Sequence, residues 1–257
     1  MDAEATFTVL GAAGFGLAFG SFLNVCILRL PHDRSLLKPP SSCPKCGHLI
    51  GWRDNIPVLS WLLLRGRCRW CRAPISGQYP LVEALVAGLW VAAALYYGLT
   101  LHALAAALFA TILLGIAITD ARHYIIPDEF SFGGLAIGLL LSLRLGGPGL
   151  VEALLGGAVG FGLLQVVAVV GKWMFKEEAM GGGDIKMMAM VGTFVGWKGV
   201  LLTVFLGALV GTVVFVPLTL KKKRLVPFGV FLAVGAAVTF VAQDAILAWY
   251  QRFFAIG

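Results

Sequence analysis

Two pairs of cysteines have the spacing of metal ligands. Cys43 and Cys46 form one CxxC sequence, Cys68 and Cys71 form a second, and 21 residues separate the pairs. A CxxC turn presents two sulfurs to one ion, so two such turns can supply the four thiolates of a tetrahedral zinc site. Four cysteines predict a structural zinc ion, since a catalytic zinc usually keeps one position open. A redox-active cysteine pair is the alternative.

The segment that holds these cysteines, residues 31–79, has too few apolar residues to form a sizeable core. We therefore expect zinc to supply most of its folding free energy. Cys26 is expected to pack inside an apolar helix, and His48 to lie at the surface. The segment carries a net charge of +6. We interpret this charge as one that sets membrane topology and meets anionic lipid headgroups, not as a nucleic-acid site.

Two aspartates stand at the ends of apolar segments. Asp120 ends one segment, and Asp184 opens another after the glycines Gly181, Gly182 and Gly183. Ionisable groups at membrane depth are costly and are functional candidates. Two facing carboxylates in a site of low dielectric constant share one proton, as in aspartic proteases, where one activates water and the other protonates the substrate. The glycines would let an extended substrate approach the backbone. The alternative is that both are helix-end residues, with Asp184 stabilised by a helix dipole.

The composition places these groups in a membrane protein. The chain has 257 residues, of which 59% are apolar and 13% charged, and its mean hydropathy is +0.90. Soluble domains have roughly 25% charged and about 45–50% apolar residues. A soluble enzyme and a disordered chain are both excluded. The N-terminus has no basic residue before Arg29, so no signal peptide is expected.

Apolar segments long enough for helices recur along the whole chain. We predict an all-α polytopic membrane protein with about eight transmembrane helices and a small cytoplasmic zinc-ribbon-like loop. The segment at 184–197 is the weakest, because it is short and opens with two charges; the topology after it inverts if it does not span. The eight segments are 6–30, 80–99, 101–119, 130–145, 150–171, 184–197, 199–219 and 226–249.

The basic residues predict the orientation of these segments. With the N-terminus outside, 17 of the 20 Lys and Arg residues fall on the cytoplasmic side, including Lys221, Lys222, Lys223 and Arg224. We therefore expect eight spans with both termini outside the cytoplasm. The expected organisation is a first transmembrane helix (1–30), a cytoplasmic four-cysteine zinc loop (31–79) and a membrane core that carries both aspartates (80–257).

The motifs together resemble those of the type IV prepilin peptidases, over almost the whole chain and in the same order. The GxGD sequence alone would be weak evidence, but together with the other motifs it is specific for this family. The matching sequences are Gly20-Ser-Phe-Leu-Asn-Val25, Arg29-Leu-Pro31, the two CxxC pairs, Asp54-Asn-Ile-Pro57, Tyr79-Pro-Leu-Val-Glu83, Asp120, Ile126-Pro127-Asp128, Gly181-Gly-Gly183-Asp184 and Pro227-Phe-Gly229.

The resemblance implies a bifunctional enzyme of the bacterial inner membrane. Such enzymes cut the short basic leader from prepilins and pseudopilins on the cytoplasmic side, typically after a glycine. They then methylate the new N-terminal residue, often Phe, with S-adenosylmethionine. The catalytic aspartates of the family fall on Asp120 and Asp184, and the zinc cysteines on Cys43, Cys46, Cys68 and Cys71. The resemblance leaves pilus biogenesis, type II secretion and competence open as the system that this enzyme serves.

The residues that transfer the methyl group are harder to predict. The family places that activity in the cytoplasmic loop and its flanks, where Gly66 is the first candidate and Glu83 and Asn24 are weaker ones. The loop has no glycine-rich nucleotide fingerprint. Because leader and loop are both basic, acidic residues of the same side are better partners for the leader. These are Asp128, Glu129, Glu177 and Glu178.

Three other classes of protein remain as alternatives. One is a GxGD protease that cuts other membrane segments without methylation, against which the cysteine loop argues. Another is an ion or proton transporter, but its charged groups would usually lie near the midplane within inverted repeats. The last is a structural zinc-ribbon assembly protein, which should tolerate Asn at both aspartates.

Overall fold

The computed structural model describes residues 3–144, 148–176, 180–219 and 226–254. Regular structure in these ranges is helical, apart from isolated β-bridges that join Ser42 to Leu49 and Arg67 to Pro74. Short 3₁₀ turns occur at Leu30–His32 and Trp52–Asp54. The α-helices are α1 Ala3–Arg29, α2 Leu59–Leu63, α3 Gln78–Tyr97, α4 Leu101–His123, α5 Asp128–Ser142, α6 Leu150–Phe175, α7 Gly182–Thr219 and α8 Phe228–Phe254.

Six of these helices are long and apolar enough to cross a membrane: α1, α3, α4, α6, α7 and α8. The predicted all-α membrane fold with a small cysteine loop is therefore confirmed. Helix α5 has 15 residues, which at 1.5 Å per residue give about 22 Å, less than the roughly 30 Å of a hydrocarbon core. It corresponds to the predicted segment 130–145.

Helix α7 contains two of the predicted segments, separated by a break at Gly196. This residue has φ 68° and ψ 178°, a conformation that is not helical. Glycine adopts it readily because it has no Cβ. The sequence predicts the break two residues later, between 197 and 199. In the first part of α7, 182–195, Met187, Met188 and Met190 are fully buried.

The chain divides into two compact units, Met1–Thr111 and Ile112–Gly257. In the first unit, α1 packs closely on α3 along a line of small residues. A Cβ at Gly16 would lie 2.6 Å from Cα of Ala87, and one at Gly20 would lie 2.7 Å from Cα of Glu83. Larger residues at either glycine would push the helices apart. Small residues permit this close approach, which supplies van der Waals packing in lipid.

In the second unit, α7 packs against α5, α6 and α8. Its contact with α6 again depends on glycines. A Cβ at Gly156 would overlap the carbonyl oxygen of Gly192, and a Cβ at Gly160 would overlap that of Met188. The backbones of α6 and α7 therefore touch, which fixes the position of the helix that begins with the Gly-Gly-Asp sequence.

Candidate active site and metal centre

Asp120 lies in the last turn of α4 and is 5% exposed. Its Oδ2 accepts a hydrogen bond from the backbone N–H of Val230 at 3.1 Å, and the N–H of Gly229 also donates to the carboxylate. Both donors belong to the first turn of α8, which begins at Phe228. Free N–H groups and the helix dipole favour an anion at this place. The fold thus holds the Asp120 carboxylate at the start of another helix.

Asp184 is the third residue of α7 and is 9% exposed. Its side chain accepts a hydrogen bond from the backbone of Gly181, the residue just before the helix. A carboxylate at the third helical position commonly reaches back to this N–H. The carboxylates of Asp120 and Asp184 interact electrostatically. The structure therefore brings together the two aspartates that the sequence singles out.

Ile126 packs between the segments that carry the two aspartates. A Cβ at Gly183 would lie 3.0 Å from Cβ of Ile126, and a Cβ at Gly229 would lie 2.7 Å from its Cδ1. The same Cβ at Gly229 would lie 2.9 Å from Oδ2 of Asp120. The sequence alone assigned no role to Gly229 or Ile126. The sequence marks them only as members of motifs: Gly229 ends the Pro-Phe-Gly sequence, and Ile126 begins the Ile-Pro-Asp sequence.

The four acidic residues considered for leader recognition differ in whether the structure describes them and in whether they already have a partner of opposite charge. Asp128 begins α5, and both of its carboxylate oxygens accept hydrogen bonds from Nζ of Lys186 at 2.8 Å. Glu129 follows it and is exposed. Glu177 and Glu178 lie outside the described residues. Asp128 is therefore already paired with a cation of its own chain, whereas Glu129 is open to solvent.

In the first unit, the four cysteines form one cluster. The sulfur atoms of Cys43, Cys46, Cys68 and Cys71 all lie within 4.8 Å of one another, and those of Cys43 and Cys71 are 3.8 Å apart. Tetrahedral zinc with Zn–S bonds of about 2.3 Å places its sulfurs about 3.8 Å apart. The four sulfur ligands and the distances between them therefore fit a zinc ion.

Each CxxC pair sits in a tight backbone turn. The N–H of Gly47 donates to the carbonyl of Cys43, and the N–H of Arg72 donates to that of Cys68. Gly47 and Arg72 both have positive φ, 71° and 59°. Hydrogen bonds from the backbone of Cys46 and Lys45 lower the pKa of the Cys43 thiol to about 6. Desolvation and the neighbouring thiols of Cys71 and Cys43 raise the pKa of the Cys46 thiol to about 11. The thiolate, which is the form that binds metal, therefore forms at Cys43 before it forms at Cys46.

An ion pair ties the second cysteine turn to the preceding segment. Nε and Nη2 of Arg69 donate to the carboxylate of Asp54 at 2.6 to 3.0 Å. These hydrogen bonds hold the pKa of Asp54 below its usual range. Such two-pronged pairs are geometrically specific. The turn at Trp52–Asp54 is therefore held against the cysteine cluster.

Gly66 lies two residues before Cys68 and has φ +64°. A Cβ there would lie 2.8 Å from the ring of Trp61, and that ring donates from Nε1 to the carbonyl of Ile75 at 3.2 Å. The N–H of Ile75 in turn donates to the carbonyl of Gly66 at 2.7 Å. Both conformation and space require glycine where the chain enters the second cysteine turn.

Glu83 and Asn24 are buried side chains on α3 and α1. Oε2 of Glu83 accepts a hydrogen bond of 2.7 Å from the N–H of Val58, a residue with φ +60°. Nδ2 of Asn24 donates to the carbonyl of Tyr79 at 3.0 Å. Oδ1 of Asn24 has no hydrogen-bond partner among the residues that the structure describes. Glu83 thus anchors the loop to the helices, and Asn24 offers an acceptor.

Comparison with known proteins covers both units. Residues 15–97 match the bacterial peptidase A24 N-terminal domain, and residues 107–216 match the type IV leader peptidase family. The second match includes Asp120 and Asp184, and the first includes the four cysteines. No solved structure matches the chain.

Several relatives are named prepilin leader peptidase/N-methyltransferase. The protein of Myxococcus xanthus is 41% identical over 212 residues, which cover 82% of this chain and 63% of the relative. That of Aeromonas hydrophila is 36% identical, with 92% and 91% covered. That of Xanthomonas campestris is also 36% identical, with 94% of each chain covered. This chain therefore belongs to the type IV leader peptidase family.

Proposed function

We propose that this protein is a prepilin leader peptidase and N-methyltransferase of the bacterial inner membrane. It cuts the basic leader of prepilins or pseudopilins on the cytoplasmic side and then methylates the new N-terminal residue, often Phe. One observation carries the proposal: two buried, interacting aspartates lie at helix ends of a membrane protein. The family match and the names of the relatives support the same activity.

Asp120 and Asp184 are the catalytic residues of the peptidase. Two backbone N–H groups donate to Asp120 and one to Asp184, so Asp120 is the ionised member and Asp184 carries the shared proton. Asp120 takes a proton from water, whose oxygen attacks the scissile carbonyl carbon while Asp184 protonates the carbonyl oxygen. As the carbon–nitrogen bond of the tetrahedral intermediate breaks, Asp120 gives its proton to the leaving nitrogen and Asp184 takes a proton back from one hydroxyl. The products are a carboxylic acid and an amine, and the aspartate pair again holds one proton.

Gly181 lies just before α7, and Gly183, which the sequence places in the same active-site loop, lies in the first turn of α7. Gly181 is exposed, and its lack of a side chain leaves room for an extended substrate to pair with the backbone beside Asp184. The hydrophobic segment after the cleavage site stays in the lipid, and the leader lies in the cytoplasm. Glu129 is the better partner for leader Lys or Arg, since a leader cation at Asp128 would displace Lys186 and leave that ammonium without a counter-ion. Neutralising Asp128, Glu129, Glu177 and Glu178 together should slow cleavage of a basic-leader substrate.

The four cysteines hold a structural zinc ion. Zinc bound there supplies cross-links that fold the loop, since the segment has little apolar core of its own. The methyl donor is S-adenosylmethionine. Gly66, Glu83 and Asn24 are the candidate residues for methyl transfer. Glu83 positions the segment around Val58, and Oδ1 of Asn24 is a buried acceptor for an N–H group of the substrate or donor.

The organisation of the chain follows from these roles. Residues 1–30 form the first transmembrane helix, 31–79 the cytoplasmic zinc loop associated with methyl transfer, and 80–257 the membrane peptidase core. Both termini lie outside the cytoplasm, in agreement with the distribution of basic residues. Four of those residues, Lys221, Lys222, Lys223 and Arg224, lie outside the described residues. Fusions of a periplasm-dependent and a cytoplasm-dependent reporter to each terminus test this orientation.

A reconstituted assay tests both activities together. The purified protein in liposomes is given S-adenosylmethionine and a prepilin with a basic leader, a glycine at the junction and a following Phe. Mass spectrometry of the product should show a new N-terminus that carries one methyl group. An uncut prepilin would contradict the peptidase proposal, and a cut but unmethylated product would contradict the methyltransferase proposal.

Gly229→Ala is expected to impair cleavage selectively. The added methyl would lie 2.9 Å from Oδ2 of Asp120 and 2.7 Å from Cδ1 of Ile126, so the carboxylate must shift. A displacement of about 1 Å in an active site can cost about 10²-fold in rate. The cleavage rate of the variant in liposomes measures the effect. Gly162→Ala in α6 is the matched control, because its Cβ would meet nothing within 4 Å; equal rates for the two variants would disprove the argument.

Gly66→Ala is expected to impair methylation and spare cleavage. The positive φ and the Trp61 ring add strain of about 1–3 kcal/mol, which at about 1.4 kcal/mol per factor of ten lowers the population of the native turn by about 5- to 140-fold. Methyl transfer to a pre-cut product should therefore fall about fivefold or more, while the four cysteines still bind zinc. Gly51→Ala is the control, since Gly51 has open space and a negative φ. Normal methylation by the Gly66 variant would remove Gly66 from the candidates.

A further inference from the structure

A groove of about 330 Å³ runs between α5, α6 and α7 in the second unit. Its walls are almost entirely apolar, and several lining side chains are about half exposed, so the groove opens toward the surroundings of the helices. In a membrane protein these surroundings are lipid. The residues that define it are Phe132 and Leu139 of α5, Ala158 and Phe161 of α6, and Lys186 and Thr193 of α7.

One end of the groove carries opposite charges. Nζ of Lys186 lies 2.8 Å from Oδ2 of Asp128 and 5.6 Å from the ring centroid of Phe132. The ion pair and the cation–π contact hold the ammonium at the mouth. The side chains of Lys186 and Asp128 are still 37% and 53% exposed, so both charges can reach a ligand.

The groove is separate from the aspartate pair. Successive residues of an α-helix are rotated by about 100°, so Asp184 and Lys186 project about 200° apart. With the same rotation of about 100° per residue, Lys186, Ala189 and Thr193 project from α7 in directions within about 60° of one another. The groove therefore lies on the face of α7 opposite Asp184, and a substrate chain in the active site does not continue along it.

The dimensions admit one extended chain. From Phe132 to Leu139 the groove follows seven residues of α5, or about 10 Å. An apolar chain that lies in it reaches the Lys186 and Asp128 pair at one end. A lipid acyl chain joined to a headgroup with one positive and one negative charge matches both the apolar walls and this pair of charges.

We propose that this groove binds one phospholipid, with an acyl chain between α5, α6 and α7 and a zwitterionic headgroup at the ion pair. Lys186 binds the phosphate and Asp128 binds the ammonium, so neither charge is left unpaired when the headgroup enters. Phosphatidylethanolamine has this chemistry, with an ammonium that can donate hydrogen bonds. A headgroup that has a phosphate but no ammonium would leave Asp128 facing an anion.

Native mass spectrometry of the full-length protein in mild detergent tests the site. Wild type should retain one phospholipid and prefer phosphatidylethanolamine to phosphatidylglycerol when both are added. Ala158→Trp fills the groove and should lose the lipid. Val166→Trp should keep it, because Val166 lies on the same helix, is 59% exposed and does not line the groove. Asp128→Asn should lose the headgroup preference.

A photo-crosslinker at Leu139 in wild-type background gives a second test that does not depend on the folding of the Trp variants. A crosslink to phospholipid supports the proposal. A crosslink to prepilin would overturn it in favour of a substrate-docking groove, and lipid retention by Ala158→Trp equal to that of wild type would also overturn it. Neither readout uses cleavage or methylation, so their failure leaves the proposed enzyme activity unaffected.

Discussion

Replacing Asp120 or Asp184 by Asn is expected to abolish leader cleavage while the protein stays folded. An amide can neither take a proton from water nor deliver one to the scissile group, and both tasks are needed. Loss of one member of a catalytic unit typically costs about 10⁴-fold or more in kcat. The rate of prepilin cleavage in liposomes, followed by mass spectrometry, measures the loss. The double variant should be no slower than either single variant, because the two groups act together.

Two controls separate this result from a general defect. Asp244→Asn changes an exposed carboxylate on α8 and should cleave at the wild-type rate. Both active-site variants should still methylate a product whose leader has already been removed, because the methyltransferase candidates lie on other helices and in the loop. Cleavage that survives in either single variant would exclude the aspartate pair and would favour a transporter or an assembly protein.

The positions of the long apolar helices could be predicted from the sequence, with ends that differ by a few residues, because hydrophobicity records them directly. An apolar run must become a helix in a membrane, since no water satisfies its backbone groups. Asp120 and Asp184 stand out for the same reason, as charges at the ends of such runs. Gly196 breaks α7 within two residues of the predicted place, and the four-cysteine cluster follows from spacing alone.

Contacts between distant residues could not be predicted in this way. Lys186 pairs with Asp128 across 58 residues of sequence, and no local pattern indicates that this acid already has a partner. The tight fit of Gly229 against Ile126 and Asp120 depends on how α8 starts beside α4. These contacts arise from helix packing, which hydrophobicity does not specify.

Loss of zinc is expected to stop methylation and to leave cleavage intact. Cys46→Ser removes one of four ligands, and a loop with a small core depends on the metal for its fold. Gly66, the first candidate for methyl transfer, lies two residues from Cys68, and its carbonyl accepts a hydrogen bond from the N–H of Ile75 across the second cysteine turn. Without zinc, this turn would lose the metal that stabilises it. Zinc content by elemental analysis, together with separate assays of cleavage and methyl transfer, measures the effect.

Cys26→Ala provides the matched cysteine control, since Cys26 lies within α1 and outside the cluster. It should retain one zinc ion per chain and both activities. Cys46→Ser should also make residues 31–79 more sensitive to protease, because zinc stabilises the folded loop against its unfolded state. A zinc-free variant that methylates normally would show that the metal has no part in methyl transfer. A variant that loses cleavage as well would show that the peptidase depends on the loop, although the loop and the two aspartates belong to different compact units.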